Sequence, residues 1–371
     1  MKFEQLIANH ISSESGPVNS EKACSRLHNQ RKPLGVLNQT GKLIPLSFKT
    51  AAIFTFAAVW GTSSFAQTAH DAWPQKPVTV IVASAAGGSA DVLSRIVLDH
   101  LAKATNATFI INNRPGASGN IGMTQLSRSA PDGYTLGYGN INTLAVNPGL
   151  FTKLPYDPQG DFIPVGQMFS TYNVLVVRAD SPVKNVDELI ALAKKKPGQL
   201  SYAAAGIGSS GHMGGELFKK MTGADVLFIP YNGDPASLTD LAGGRLDYTF
   251  SNISVAWPLV QSGKLRALAI TSRERIPQYP NLPTLDELGL KGYENVSWGG
   301  LLFPKGTPQP IVDQLSTALE KVMKTESIRT ALANANASPA TGTRDDFVRF
   351  ISSEQKKWAQ VIETANIPKQ N

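Results

Sequence analysis

The chain is nearly without cysteine: of 371 residues only Cys24 is one. Glu21, Lys22 and Ala23 precede it, too polar a stretch for a lipoprotein cleavage box, so Cys24 is not read as a lipid anchor. A chain exported without this leading segment carries neither thiol nor disulfide and must be stabilised by its cores, which suits a periplasmic protein. Histidine is also scarce. His70, His100 and His212 are the three beyond the leader, with no H-x-x-x-H spacing, which argues against a metal site. Charged residues make up 17% of the chain against 42% apolar, a globular balance. The formal charge of +7 looks basic, but residues 1–66 hold seven Lys/Arg against three Asp/Glu, which leaves +7 minus +4, or +3, for the rest. No basic stripe interleaved with aromatics remains there, so no nucleic-acid partner is expected.

Long apolar runs are missing too. The one at 51–60 follows Lys42 and Lys49 and ends in small residues at Ser64 and Ala66. It is well short of the roughly 20 residues needed to span a bilayer, so residues 42–66 read as a signal peptide, cut after Ala66, and not as an anchor. Residues 1–41 are polar and aperiodic and read as a disordered or untranslated extension. No methionine lies between Met1 and Met123, so a later start would need another codon.

What is present, from Trp73 onward, is an alternation of strand-length apolar runs with helix-length amphipathic stretches, the pattern of an α/β protein with mostly parallel sheets covered by helices. Strands are expected at 78–83, 108–111, 134–139, 174–178, 200–204, 226–229, 246–250, 265–271 and 296–302. Helices are expected at 90–104, 119–129, 143–150, 186–195, 211–222, 235–243, 254–262, 284–288, 308–324, 326–335 and 344–365. Leu93, Ile96, Val97 and Leu101 recur at three and four and bury one helical face. Two sheets follow, with the chain crossing between them near 171–176 and 294–298. The expected domains are 73–173 with 296–371, and an inserted 174–295.

In open α/β sheets a ligand sits beyond the carboxyl ends of strands. Four loops there carry small polar residues. The loop 84–91 holds Ser84, Ala85, Ala86, Gly87, Gly88, Ser89 and Asp91, and the loop 205–212 holds Ala205, Gly206, Gly208, Ser209 and His212. Asn140 and Asn142 belong to the third, and Asn252 to the fourth. In the first two, glycines and hydroxyls stand directly before a helix start, whose unpaired N–H groups favour an anion by ~0.3–1 kcal/mol per helix end. Neither has the G-x-G-x-x-G of a dinucleotide site or the Gly-Lys-Ser/Thr of a phosphate loop, and neither contains Lys or Arg. Two facing anion sites without cations suit a small dicarboxylate. The plainer alternative is two ordinary turns, with Ser89 and Asp91 as helix caps. Asp91 would touch a ligand only if that ligand carried an amine. Ser209 and Ser210 beside His212 do not form G-x-S-x-G, and no nucleophile is paired with a base, so no catalytic residue is expected.

Several stretches resemble the Bug family, the periplasmic solute-binding receptors of tripartite tricarboxylate transporters. They are Asn113-Arg-Pro-Gly-Ala-Ser-Gly-Asn-Ile-Gly122, Ala130-Pro-Asp-Gly-Tyr-Thr-Leu136, Lys153-Leu-Pro-Tyr-Asp157, Pro230-Tyr-Asn-Gly233, Leu238-Thr-Asp-Leu-Ala-Gly-Gly244, Gly263-Lys-Leu-Arg-Ala-Leu-Ala269 and Pro304-Lys-Gly-Thr-Pro308. The resemblance runs from about Trp73 to Ile367. It implies a two-domain periplasmic-binding-protein fold of type II, with a ligand cleft between the domains. It further implies a small carboxylate ligand gripped by main-chain N–H groups of the loops 84–91 and 205–212, no cofactor, membrane permease subunits as partners, and a monomer. The chain departs from the family in having Ser84 and Ala86 where an aromatic and a proline are common, and Asn232 where a lysine often stands. A smaller Ser84 implies a wider pocket that admits an aromatic carboxylate, with Asn142, Asn252 and Tyr231 as further contacts. A periplasmic sensor feeding a two-component system would share this fold and pocket, and an exported hydrolase is a weaker third reading.

Overall fold

The computed structural model describes residues 73–371. The extension 1–41, the signal segment 42–66, Cys24 and His70 lie outside the described residues. Among those described, no helix is long and apolar enough to cross a membrane.

The first half of the sheet is laid down by β1 (Val78–Val82), β2 (Phe109–Asn113) and β3 (Thr135–Asn140), which pair in parallel in the order β2-β1-β3. Between them run α1 (Ser89–Thr105) and, after a 3-10 turn Ala117–Gly119, α2 (Asn120–Ser127). A π turn (Ile141–Val146) leads straight into α3 (Asn147–Leu150), where a single helix over 143–150 was expected. Pro148 supplies no N–H, and the first turn widens ahead of it.

The second half repeats the plan. After β4 (Phe162–Arg178) and α4 (Val186–Lys195) come β5 (Ser201–Ala204), α5 (Ser210–Thr222), β6 (Leu227–Pro230), α6 (Asp234–Ala242), β7 (Tyr248–Asn252), α7 (Ile253–Gln261) and β8 (Leu265–Ile270). Strands β6, β5 and β7 pair in parallel, and β4 then separates β7 from β8. The chain returns along β9 (Val296–Pro304) and finishes with α8 (Gln309–Met323), α9 (Glu326–Asn334), β10 (Ala337–Pro339) and α10 (Arg344–Thr364). The path through all of it is β2-β1-β3-β9-β4-β7-β5-β6.

Each half is therefore mixed and not wholly parallel. β9 and β10 run against the other strands of the first half, and β4 runs against those of the second. β4 also begins twelve residues before the expected 174, at Phe162. Its register against β9 shifts between Pro164 and Gly166 and again between Gln167 and Phe169, which destroys the period-two signal there. The helix expected at 284–288 is a single turn, closed by Leu288 N–H donating to Thr284 O at 3.2 Å. It lies between Pro283 and Gly289, too short to sustain more.

Alternation along each strand sends side chains to two cores. Val78, Val80 and Val82 face α1, α8 and α9 with Leu93, Leu315 and Ile328, while Ile81 faces α10 with Phe347 and Trp358. In the second half Leu175 and Val177 join Leu189 and Phe218, and Val174 and Val176 join Leu241 and Ala256. Burial on both faces explains the unbroken apolar run Val174-Leu-Val-Val177.

Pairing switches inside β4: Tyr172 sits opposite Val296 of β9, and Asn173 opposite Asn252 of β7. The return crossing lies beside it. Thr271 N–H donates to Asn173 O at 3.0 Å, Asn173 N–H donates to Thr271 Oγ1 at 2.9 Å, and Asn295 N–H donates to Thr271 O at 2.9 Å. Gly299, three residues into β9, leaves room for the Tyr138 ring, and a Cβ there would collide with it. Gly299→Val should therefore lower stability by about 1–3 kcal/mol, read as a reduced denaturant midpoint with an unchanged slope; an unchanged midpoint would contradict this packing.

Candidate functional site

Strand direction places the site. β1, β2 and β3 run the same way as β4, so their carboxyl ends point toward the second half. β5, β6 and β7 run against β4, so theirs point toward the first. Every helix that follows one of these strands begins where the halves meet. A cavity of about 310 Å³ opens there, bordered by the starts of α1 (Ser89, Ala90), the π turn (Asn140, Asn142), α5 (Ser209, Ser210), α6 (Gly233, Asp234) and α7 (Asn252). The halves touch beside it, with Ser89 Oγ and Ser254 Oγ 2.8 Å apart.

The first expected loop divides. Ser84, Ala85 and Ser89 line the cavity; Ala86, Gly87, Gly88 and Asp91 do not. Gly87, at φ +74°, has open space where a Cβ would stand, so the left-handed turn and not crowding is what calls for glycine there. Asp91 braces the loop from behind. Its carboxylate accepts from Gly87 N–H at 2.9 Å and Asn113 Nδ2 at 3.1 Å and lies 2.8 Å from Arg95. Burial alone would raise the Asp91 carboxyl, but hydrogen bonds from Arg95, Gly87 and Asn113 outweigh it and hold the group below the usual carboxylate range.

The second loop divides likewise. Ala205, Gly206 and Ser209 line the cavity; Gly208 and His212 do not. A Cβ on Gly208 would stand 2.8 Å from Asn147 Oδ1, so this glycine allows close packing of one half on the other. His212 is turned inward: its Nδ1 accepts from Gly208 N–H at 3.1 Å, and its ring lies 4.2 Å from that of Phe228. Burial pushes its pKa from 6.5 down to about 4, against a smaller opposing pull from Glu216. Ser209 Oγ accepts from the backbone N–H of His212 and His212 Nδ1 accepts from Gly208 N–H, so no hydrogen bond pairs the hydroxyl with the imidazole as a nucleophile with its base.

The remaining expected residues, Asn140, Asn142, Tyr231 and Asn252, all border the cavity. Asn140 Oδ1 accepts from Thr143 N–H while Thr143 Oγ1 accepts from Asn140 N–H, each at 3.1 Å, a reciprocal cap that fixes the π turn. Tyr231 Oη donates to Asp240 at 2.7 Å.

Sequence reasoning missed residues 115–119, Tyr138, Ser210, Asn232, Asp234 and Ser297, all of which line the cavity. The Pro-Gly-Ala-Ser-Gly turn follows β2, and the strand-end rule applied to that third parallel strand would have found it. Asp234 was signalled by Gly233-Asp-Pro235, a helix start after β6. It is the only Asp, Glu, Lys, Arg or His among the lining residues. Burial raises its pKa, opposed by hydrogen bonds from Ser251, at 2.7 Å, and Asn252. The walls thus offer N–H dipoles, hydroxyls and amides, suited to an anionic group held without a cation. Among the described residues no group of three metal-ligating side chains occurs.

Two α/β halves joined by adjacent crossings, with a polar cavity at facing strand ends, make the fold of a periplasmic binding protein. The sequence pattern of the tripartite tricarboxylate transporter family receptor matches residues 93–367, and the chain belongs to that family. Protein BugT of Bordetella pertussis is 34% identical over 313 residues, 84% of this chain and 95% of that protein. An R. palustris protein solved with adipate is 36% identical with a TM-score of 0.79, over 81% of this chain and 100% of that one. MatC from Rhodopseudomonas palustris, solved with bound malate, is 31% identical with a TM-score of 0.74, over 78% of this chain and 100% of that one.

The inward His212 has a pH signature. Because its folded pKa of about 4 lies below the ordinary 6.5, the unfolded chain takes up the proton first, and stability falls as pH drops from 6.5 toward 4. The loss of melting temperature between those values should be smaller in His212→Gln than in the parent; equal losses would show that the ring is not held neutral.

Proposed function

We propose that the chain is an exported receptor that captures a small organic carboxylate in this cavity and hands it to the membrane permease of a tripartite tricarboxylate transporter, with no chemical step. The observation that carries this reading is the convergence of five helical starts on a cavity lined by no lysine or arginine. Partial positive charge at those starts replaces the missing cations, and each contributes about 0.3–1 kcal/mol toward an anion. The family, and the adipate and malate held by two similar proteins, support the ligand class. In this reading dicarboxylates and aromatic carboxylates both fit, since Ser84 leaves width at the first loop.

The chain would act as a monomer after removal of the leader behind Ala66. Its lobes would be 73–173 with 296–371, and 174–295, closing as Ser89 meets Ser254 and separating when the ligand leaves. The opposing reading, hydrolysis, finds no support in the Ser209 and His212 geometry.

Thermal-shift titration with mono- and dicarboxylates, aromatic acids, adipate and malate included, tests the proposal. A true ligand at a hundred times its Kd adds about 2.7 kcal/mol of stability, and Ser89→Ala with Ser254→Ala should weaken it severalfold by loosening closure. A panel in which no carboxylate raises the melting temperature would overturn the reading.

A further inference from the structure

The amino-acid order writes a reactive pair into the rim of the cavity. Of all the asparagines in the chain, Asn232 is the only one followed by glycine. Both residues of the pair border the cavity, in the turn between β6 and α6. In any Asn-X pair the side-chain amide lies one ring closure from the next backbone nitrogen, but the side chain of X crowds that nitrogen and stiffens the chain; glycine does neither. The fold does little here to prevent the closure. Asn232 is exposed, and among the described residues neither its side chain nor the Gly233 N–H has a hydrogen-bond partner. The other asparagines on the lining are protected. Asn140, Asn142 and Asn252 precede Ile141, Thr143 and Ile253, whose branched side chains shield the nitrogen; Asn140 is also held by its cap with Thr143, and Asn252 is buried.

Resting on the carboxylate reading above, we propose that Asn232 is a site of deamidation, and that its conversion to a carboxylate shuts the cavity to anionic ligands. The Gly233 nitrogen attacks Asn232 Cγ and gives up its proton to solvent. The Cγ–Nδ2 bond breaks, the side-chain nitrogen leaves as ammonia, and a cyclic succinimide joins the two residues. Water then adds to either ring carbonyl, and the ring opens to aspartate or isoaspartate with no oxidant or reductant involved. Either product puts a carboxylate beside a lining that has no Lys, Arg or His to neutralise it. A like charge at the rim opposes the carboxylate of the ligand. Isoaspartate does more, because it routes the main chain through the side-chain carbon and lengthens it by a methylene. Gly233 lies close against the first half, where a Cβ would stand 3.3 Å from that of Ala85, so the added length falls on the surface along which the halves meet.

The test is ageing of the protein in warm, mildly alkaline buffer, followed by anion-exchange separation of the more acidic form and digestion with trypsin. The tryptic peptide 221–245 has Asn232 as its only asparagine. In the acidic fraction this peptide should show the mass gain of an amide-to-acid exchange, and part of it should accept a methyl group from an isoaspartyl methyltransferase. Asn232→Gln, whose longer side chain must close a larger ring, should give no such form over the same time. With adipate, malate and benzoate as calorimetric probes, the acidic fraction should bind about tenfold more weakly, or worse, than the intact fraction of the same aged sample. Freshly made Asn232→Asp, which carries the charge without the added methylene, should be weakened about threefold or more, with melting temperatures confirming that each form is folded. A peptide 221–245 left unaltered while other asparagines convert, or an acidic fraction that binds as tightly as the intact one, would overturn the inference and leave the receptor reading standing. Fresh protein that binds no carboxylate would bring down both.

Discussion

Everything at the site follows from one constraint, the opposed direction of the two sets of parallel strands about β4. A helix must start where its strand ends, and here the strand ends of both halves face one another. Partial positive charge is thereby concentrated on one cavity without a single basic side chain. Lysine or arginine would bind an anion more strongly, but as long flexible groups they would have to be ordered on every encounter. Backbone N–H groups at the ends of packed helices are already fixed. Carboxylate recognition by such a wall depends on orientation as much as on charge.

The glycines and polar residues around the cavity divide the labour in a way their types do not announce. Ser84, Ala85, Ser89, Ala205, Gly206 and Ser209 form the surface, while Asp91 and His212 work from behind it, each holding a backbone N–H of its own loop. A loop that must present donors outward needs its remaining groups satisfied inward, and these two side chains do that. Asp91 stays charged because it has Arg95; burial keeps His212 neutral against the weaker pull of Glu216.

Much of the fold was legible because strands buried on both faces, such as Val78-Thr-Val-Ile-Val82 and Val174-Leu-Val-Val177, are written as apolar runs, and helices such as α1 carry a regular stripe. The first part of β4 was not, since two register shifts scramble its alternation. The π turn was hidden for a related reason: Pro148 distorts a segment whose composition still reads as helix. At the site, loop position could be read but side-chain direction could not. Residue type put Gly87, Gly208 and His212 in the cavity; only tertiary contacts with Asn147 and Phe228 turn the latter two away from it. Asp234 was overlooked because it opens α6 after β6, a strand end that was not among the four loops singled out for small polar residues.

The two crossings run side by side, and Thr271 fastens them to each other through Asn173 and Asn295. Two adjacent tethers that cannot slide past one another leave a body a single easy movement, a swing about the line that joins them. Thr271 thus stands where the pin of a hinge would stand. In the receptor proposed above, occupancy of the cavity would be expressed as one angle between the halves, the simplest quantity for a partner to read.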